Sequence, residues 1–139
     1  MAIADSREAI EQRLLPLLTG NDTPPAEMLD LVAALRARSA VTTDPALFAV
    51  VLAVECRAHF RLSSQEAAQQ ACGQALQLAK RSADNTALVA AHRMNGILTV
   101  EGGHPAESVP DFLAALAAAE RLGDGRSIAM ALGNLGAAA

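Results

Sequence analysis

A 40-residue repeat is the feature that most limits how this chain of 139 residues can fold. Asp44, Asp84 and Asp124 are 40 residues apart, and each precedes a run of helix-forming residues. Gly96 and Gly136 have the same spacing. Further matches at this spacing are Phe48 with Leu88 and Ile128, Ala75 with Ala115, and Ala79 with Ala119. A fixed period long enough for two helices is typical of helical solenoids, so the chain is predicted to stack helix pairs.

Seven segments have helical patterns, and none of them alternates as a half-buried strand does. They span 5–18, 26–39, 44–62, 63–82, 84–103, 104–123 and 124–139. Asp44 before Pro45, and Ser63 three residues before Glu66, are signals for the start of a helix. Only 2% of the chain is aromatic while 52% is hydrophobic, so Ala and Leu must form the core. Both are strong helix formers, and the predicted fold class is therefore all-α.

One repeat resembles a tetratricopeptide repeat. The stretch "NGILTVEGGHPAESVPDFLAALAAAERLGD" (95–124) carries the resemblance, and "ALGNLG" (131–136) is similar to the start of the next repeat. Gly96 and Gly136 match the small residue of the first helix, and Gly103 matches the turn. Phe112 and Ala115 match the aromatic and small residues of the second helix. The departures from the family pattern are Ser108, Thr99 and His92, with Cys56 and Cys72 in the preceding repeat.

The resemblance implies a right-handed α-solenoid of antiparallel helix pairs, with about seven helices in a single domain. Residues 5–39 would form a divergent first pair, 44–82 the second and 84–123 the third, while 124–139 would be the first helix of a truncated fourth. The period exceeds the usual 34 residues, as in longer-helix variants of bacterial regulatory proteins, and HEAT-like repeats of about 40–47 residues are the structural alternative.

The family binds partners on a concave face lined by the first helix of each repeat. By resemblance, the partner-binding residues here would be Arg57, Phe60, Arg61, Arg93, Ile97, Val100 and Glu101. The arginines would pair with carboxylates of a bound protein or peptide, and Phe60 and Val100 would supply apolar contacts. The alternative is that the arginines are solvated, or pair with Glu101 and neighbouring acids. No lysine and asparagine occur together there, so the family's carboxylate clamp is not matched.

Several function classes are disfavoured. The net charge of −4 argues against nucleic-acid binding. The longest apolar run, 45–54, is about half the roughly 20 residues that a membrane span requires, and the charged N-terminus does not resemble a signal peptide. A cytoplasmic location is the expectation. No acid–base pair, nucleophile or metal cluster is evident, so neither an enzyme nor a bound metal or cofactor is predicted.

The resemblance leaves two functional hypotheses. The first is an interaction or sensory module in the N-terminal part of a larger bacterial signalling protein, like those that precede diguanylate cyclase or transcription-regulator domains. The second is a structural scaffold for oligomerisation. The last segment has Ile128, Leu132 and Leu135 on one stripe with no following helix to cover them, which predicts a piece of a longer chain and a homodimer through this helix.

The two cysteines, Cys56 and Cys72, are predicted to face each other across one helix pair. They are interpreted as reduced thiols that act as small apolar residues. The alternative is a redox-sensitive pair, which requires Cα atoms within about 7 Å of each other.

Overall fold

Helices account for all the regular secondary structure in the computed structural model, which describes residues 6–20 and 22–138. The elements are α1 (Arg7–Leu14), a 3-10 helix (Leu15–Leu18), α2 (Pro25–Arg36), α3 (Ser39–Thr42), α4 (Pro45–Arg61), α5 (Gln65–Ser82), α6 (Asn85–Glu101), α7 (Pro105–Leu122) and α8 (Gly125–Ala138). The prediction of an all-α chain is confirmed for these residues. Asp5, where the first predicted segment begins, Asn21 in the predicted loop and Ala139 at the end of the last segment lie outside them.

Two details differ from the seven predicted segments. The first segment is α-helical only to Leu14 and continues as the 3-10 helix, because Pro16 has no N–H to donate to the carbonyl one turn earlier. A single helical turn, α3, occupies the connection that precedes Asp44, where Val41 and Thr42 both donate to the Arg38 carbonyl. The described residues therefore contain eight α-helices, one more than predicted.

The helix boundaries repeat at the 40-residue interval of the sequence. Helices α4 and α6 begin at Pro45 and Asn85, and α5 and α7 begin at Gln65 and Pro105. The aspartates before α4 and α6 act as N-caps. Asp44 accepts a hydrogen bond from the Leu47 N–H at 3.1 Å, and Asp84 accepts one from the Ala87 N–H at 3.0 Å. The same local interaction, recurring at one interval, fixes where the successive helices start.

The connections between the long helices repeat as well. Ser63 and Gly103 have φ values of 61° and 89°, and Ala83 and Gly123 have φ values of 52° and 68°. These left-handed residues end the preceding helix and reverse the chain within two or three residues. Because α4 packs along α5 and α6 along α7 after such short connections, each pair is antiparallel.

The helix pairs also contact one another: α4 and α5 both pack on α6, and α7 packs on α8. The core between them consists mainly of alanine, valine and leucine. Gly96 lies on α6 directly beneath the Phe112 ring of α7, and an added Cβ would be only 2.6 Å from the ring. Ser108 and Ala115 of α7 are 0% and 1% exposed. Small side chains at these positions let α6 and α7 approach closely.

Cys56 and Cys72 are both buried free thiols. A hydrogen bond with Cys56, and then burial, raise the pKa of the Cys72 thiol above its usual range. Thiolates are the reactive form of cysteine, so this environment disfavours reaction at Cys72. The arrangement agrees with the interpretation of the two residues as small apolar residues, and the redox hypothesis stays untested.

His92 belongs to a polar network between α6 and α7. Its Nδ1 atom lies 2.8 Å from Asp111 Oδ1, and Asn95 Nδ2 donates to Asp111 Oδ2 at 2.8 Å. Asn95 Oδ1 in turn accepts a weak hydrogen bond from Cys72 Sγ at 3.8 Å. His92, one of the departures from the repeat pattern, is thus held in place by polar contacts.

Candidate functional site

The N-terminal segment, residues 7–20, lies along the surface that α4 and α6 form together. Arg7 contacts Asp44 at the start of α4, and the Gly20 carbonyl accepts a hydrogen bond from Arg57, well into the same helix. The Thr23 carbonyl accepts one from Arg61, the last residue of α4. Residues further along the N-terminal segment thus contact residues further along α4, so the two run parallel. Its apolar side chains Ile10, Leu14 and Leu18 are buried in the core.

Arg7 anchors the beginning of the N-terminal segment to the caps of two helices. Its guanidinium lies 2.8 Å from Asp44 Oδ2 and 3.6 Å from Asp84 Oδ2, and it also contacts Glu11 at 3.5 Å. The hydrogen bond with Asp44 raises the pKa of Arg7. Burial alone would raise the pKa of Asp44, but the Leu47 N–H and the Arg7 guanidinium outweigh it, and the pKa is lowered.

The lowered pKa of Asp44 predicts a loss of stability in acid. A carboxyl with a lower pKa in the folded state stabilises the fold above its unfolded pKa of about 3.9 and loses that effect as the pH falls through the folded value. Between about pH 5 and pH 2.5, the Asp44→Asn variant should therefore lose less unfolding free energy than the wild type. Asparagine still caps the helix, and solvent screening limits the difference to about 1 kcal/mol.

Urea unfolding followed by circular dichroism at each pH would measure the effect. Asp30→Asn on α2 is the matched control, because Asp30 is exposed, and this variant should follow the wild-type pH dependence. An Asp44→Asn variant with the full wild-type acid sensitivity would contradict the prediction.

Three predicted site residues converge on the end of the N-terminal segment. Arg93 Nη1 donates to the Leu18 carbonyl at 3.0 Å, and Arg57 Nη2 donates to the Gly20 carbonyl at 3.1 Å. Arg61 Nη1 donates to the Thr23 carbonyl at 2.6 Å. Leu18 ends the 3-10 helix, and a carbonyl at the end of a helix has no partner within it, so the Arg93 guanidinium satisfies an acceptor that would otherwise lack one.

These arginines are more deeply placed than side chains on an open binding face. Arg57 is only 9% exposed. Burial lowers the pKa of Arg57, and the charge of Arg61 lowers it further. Burial also lowers the pKa of Arg93, and the charge of Arg57 lowers it further. The predicted contacts of these arginines were partner carboxylates or, in the alternative, solvent or Glu101 and neighbouring acids. In the structure they bind carbonyls of their own chain.

The other four predicted site residues take no part in these guanidinium-to-carbonyl hydrogen bonds. Phe60 and Ile97 are half-buried against the core, Val100 is half-buried and Glu101 is exposed at the end of α6. Ile10, Leu14, Leu17 and Leu18 recur at helical spacing, which indicates that the N-terminal segment has an apolar face. The spacing does not indicate which helices cover that face.

A cavity of about 370 Å³ lies beside the N-terminal segment, and no sequence pattern indicated it. Gln12, Leu15, Pro16, Leu18 and Thr19 form one wall. Thr86, Val89, Ala90 and Arg93 of α6 contribute to its lining, and residues from the end of α7 and the start of α8 complete it: Leu122, Asp124, Arg126, Ser127 and Met130. One period earlier, the matching residues of α4 are Ala46, Ala49, Val50 and Ala53, each at most 7% exposed. These positions of α4 are therefore covered by other parts of the protein, whereas the matching positions of α6 line the cavity.

Within 6–20 and 22–138, no group of three or more His, Cys, Asp or Glu side chains is placed to hold a metal ion. In the same part of the chain, no helix is both long and apolar enough to cross a membrane.

Comparison with known proteins adds no relative. No protein-family model matches the chain, and no curated protein or solved structure is significantly similar to it. The structure defines the class only as an all-helical protein, in which antiparallel helix pairs begin 40 residues apart.

Proposed function

We propose that this chain is a tetratricopeptide-like helical scaffold that binds a protein or peptide partner on the face formed by α4, α6 and α8. The observation that carries the proposal is that part of this face already holds a polypeptide, the N-terminal segment. Guanidinium-to-carbonyl hydrogen bonds and buried leucines hold it there. These are the interactions by which a scaffold retains a bound peptide.

The proposed partner-binding residues remain Arg57, Phe60, Arg61, Arg93, Ile97, Val100 and Glu101. Because the three arginines donate to carbonyls of residues 18, 20 and 23, a partner that reaches them replaces those carbonyls with its own. Val100 and Glu101 lie at the end of α6 and need no such replacement. The sensory or regulatory role, cytoplasmic and in a larger signalling protein, is part of the same proposal and follows from the family resemblance.

Site-specific photo-crosslinking tests the proposal. A benzophenone amino acid is placed at Val100 or Met130 on the proposed face of the full-length protein, expressed in its own cells. Gln77, which is exposed on α5, is the control position. We expect one protein, identified by mass spectrometry, to be crosslinked from the first two positions but not from Gln77. The purified partner should then bind the Val100→Asp variant at least about 10-fold more weakly, because a charge would be buried without a partner.

The alternative function, an oligomerisation scaffold, is favoured by the surface of α8. Leu132 is 53% exposed there, and Ile128 and Leu135 are only half-buried. If crosslinks join only copies of the chain itself, and if Leu132→Glu converts a dimer to a monomer in sedimentation velocity, the oligomerisation function replaces the proposed one. Equal labelling from Gln77 would contradict binding on this face altogether.

A further inference from the structure

The cavity beside α6 has the size and the wall composition of a small-molecule site. Its volume of about 370 Å³ lies within the range of roughly 300–1,000 Å³ found for ligand pockets. Leu15, Leu18, Val89 and Met130 form apolar walls. Pockets of this kind hold an apolar body by burial and orient it with a few polar groups.

Two arginines from different helices line the cavity, Arg93 of α6 and Arg126 of α8. Arg126 is exposed, and its charge acts on the nearby Asp124 carboxylate. Arg93 donates one hydrogen bond, to the Leu18 carbonyl, and its buried Nε has no partner among the described residues. Burial lowers the pKa of Arg93, as does the nearby Arg57. A bound anion would favour the charged form of Arg93 and give its Nε an acceptor.

One carboxylate, Asp124, also lines the cavity. Its oxygens already accept hydrogen bonds from the Arg126 N–H at 3.2 Å and from the Ser127 hydroxyl at 2.7 Å. These contacts hold Asp124 as the cap of α8. Its pKa is lowered first by the Ser127 hydroxyl and, as a smaller cause, by the charge of Arg126. The hydrogen bonds to Asp124 come from the Arg126 main chain and from Ser127, so the guanidinium groups of Arg93 and Arg126 retain donors for a further acceptor.

We propose that this cavity binds a small amphipathic carboxylate, with its apolar body against Leu15, Val89 and Met130 and its carboxylate between Arg93 and Arg126. Carboxylates accept charge-assisted hydrogen bonds from guanidinium in a planar geometry that an ammonium group does not offer. The site needs no partner protein, so this proposal can be tested independently of the proposed scaffold function.

Titration of the purified protein with sodium octanoate tests this site. Binding is followed by calorimetry and by the amide shifts of Val89 and Met130 in ¹⁵N NMR spectra. We expect saturable one-to-one binding, with shifts concentrated at these two residues. Octanol, which lacks the charge, and acetate, which lacks the apolar body, should each bind at least about 10-fold more weakly.

Two charge-removing variants locate the carboxylate. Arg126→Met leaves the Arg93 bond to Leu18 in place, and it should weaken octanoate binding about 10-fold or more, as should Arg93→Met. Arg81→Met is the matched control, because Arg81 is exposed on α5 away from the cavity, and this variant should bind octanoate like the wild type.

Three results would overturn the proposal. Octanoate that does not saturate any site would exclude the ligand class. Octanol that binds as tightly as octanoate would show a purely apolar pocket. Octanoate affinity that falls equally in the Arg81→Met variant would show a general effect of net charge and no defined site.

Discussion

Replacing Leu14 with alanine should detach the N-terminal segment from α4 and α6. Leu14 is 0% exposed, and removing a fully buried leucine side chain costs about 2–5 kcal/mol. That cost falls on a segment of only 14 residues, 7–20, so we expect it to open locally before the long helices unfold. Hydrogen exchange should show lost protection over this segment, with protection in α5 and α7 retained.

The neighbouring leucine gives the control for this experiment. Leu15 is 37% exposed, so Leu15→Ala removes the same atoms from a partly solvated site, and it should cost less than about 1 kcal/mol. Equal loss of protection in the two variants, or unchanged exchange in Leu14→Ala, would contradict the packing described above. The Leu14→Ala variant also releases the Leu18 and Gly20 carbonyls from Arg93 and Arg57, which makes these guanidinium groups more accessible to a partner.

Replacing Gly96 with leucine should destabilise the α6–α7 pair by about 3 kcal/mol or more. An added Cβ would be 2.6 Å from Cε1 and 2.8 Å from Cζ of Phe112, and the ring is itself 1% exposed. Overpacking of this kind costs about 1–3 kcal/mol for modest additions, and leucine adds four carbons. The chain has no Trp or Tyr, so urea unfolding is best followed by circular dichroism.

Gly136 is the matched control, one 40-residue interval later. An added Cβ there would have no heavy atom within 4 Å, so Gly136→Leu should be neutral or slightly stabilising, because leucine favours a helix over glycine by roughly 0.8–1 kcal/mol. Adding Phe112→Ala to Gly96→Leu should cost less than the sum of the two separate changes. Strict additivity would indicate that the ring and the glycine do not share one space.

Much of the helical framework could be predicted because its signals are local. Asp44 and Asp84 cap helices through N–H groups three residues ahead, and such a contact depends only on nearby sequence. Gly96 was recognisable as the small residue of its helix for the same reason, since residue size is visible in the sequence. The short helix α3 escaped prediction because a single turn carries no periodic pattern.

The candidate site could not be predicted, because its contacts join distant parts of the chain. Arg93 and Leu18 are separated by 75 residues, and the acceptor is a main-chain oxygen that every residue possesses. The seven predicted partner-binding residues came from a family whose concave face is open. Here the apolar stripe of α1 had to be buried somewhere, and α4 and α6 supplied the surface. The cavity follows from that placement and from the position of α8.

The three arginine contacts have a consequence for how freely residues 18–23 can vary. The acceptors are main-chain carbonyls, so these three hydrogen bonds do not select the side chains at Leu18, Gly20 and Thr23. Any polypeptide with a suitable backbone path could occupy that place. Discrimination between occupants must therefore come from the surface that buries Ile10, Leu14 and Leu18. It must also come from Asp44 and Asp84, which bind Arg7 at the opposite end of the segment.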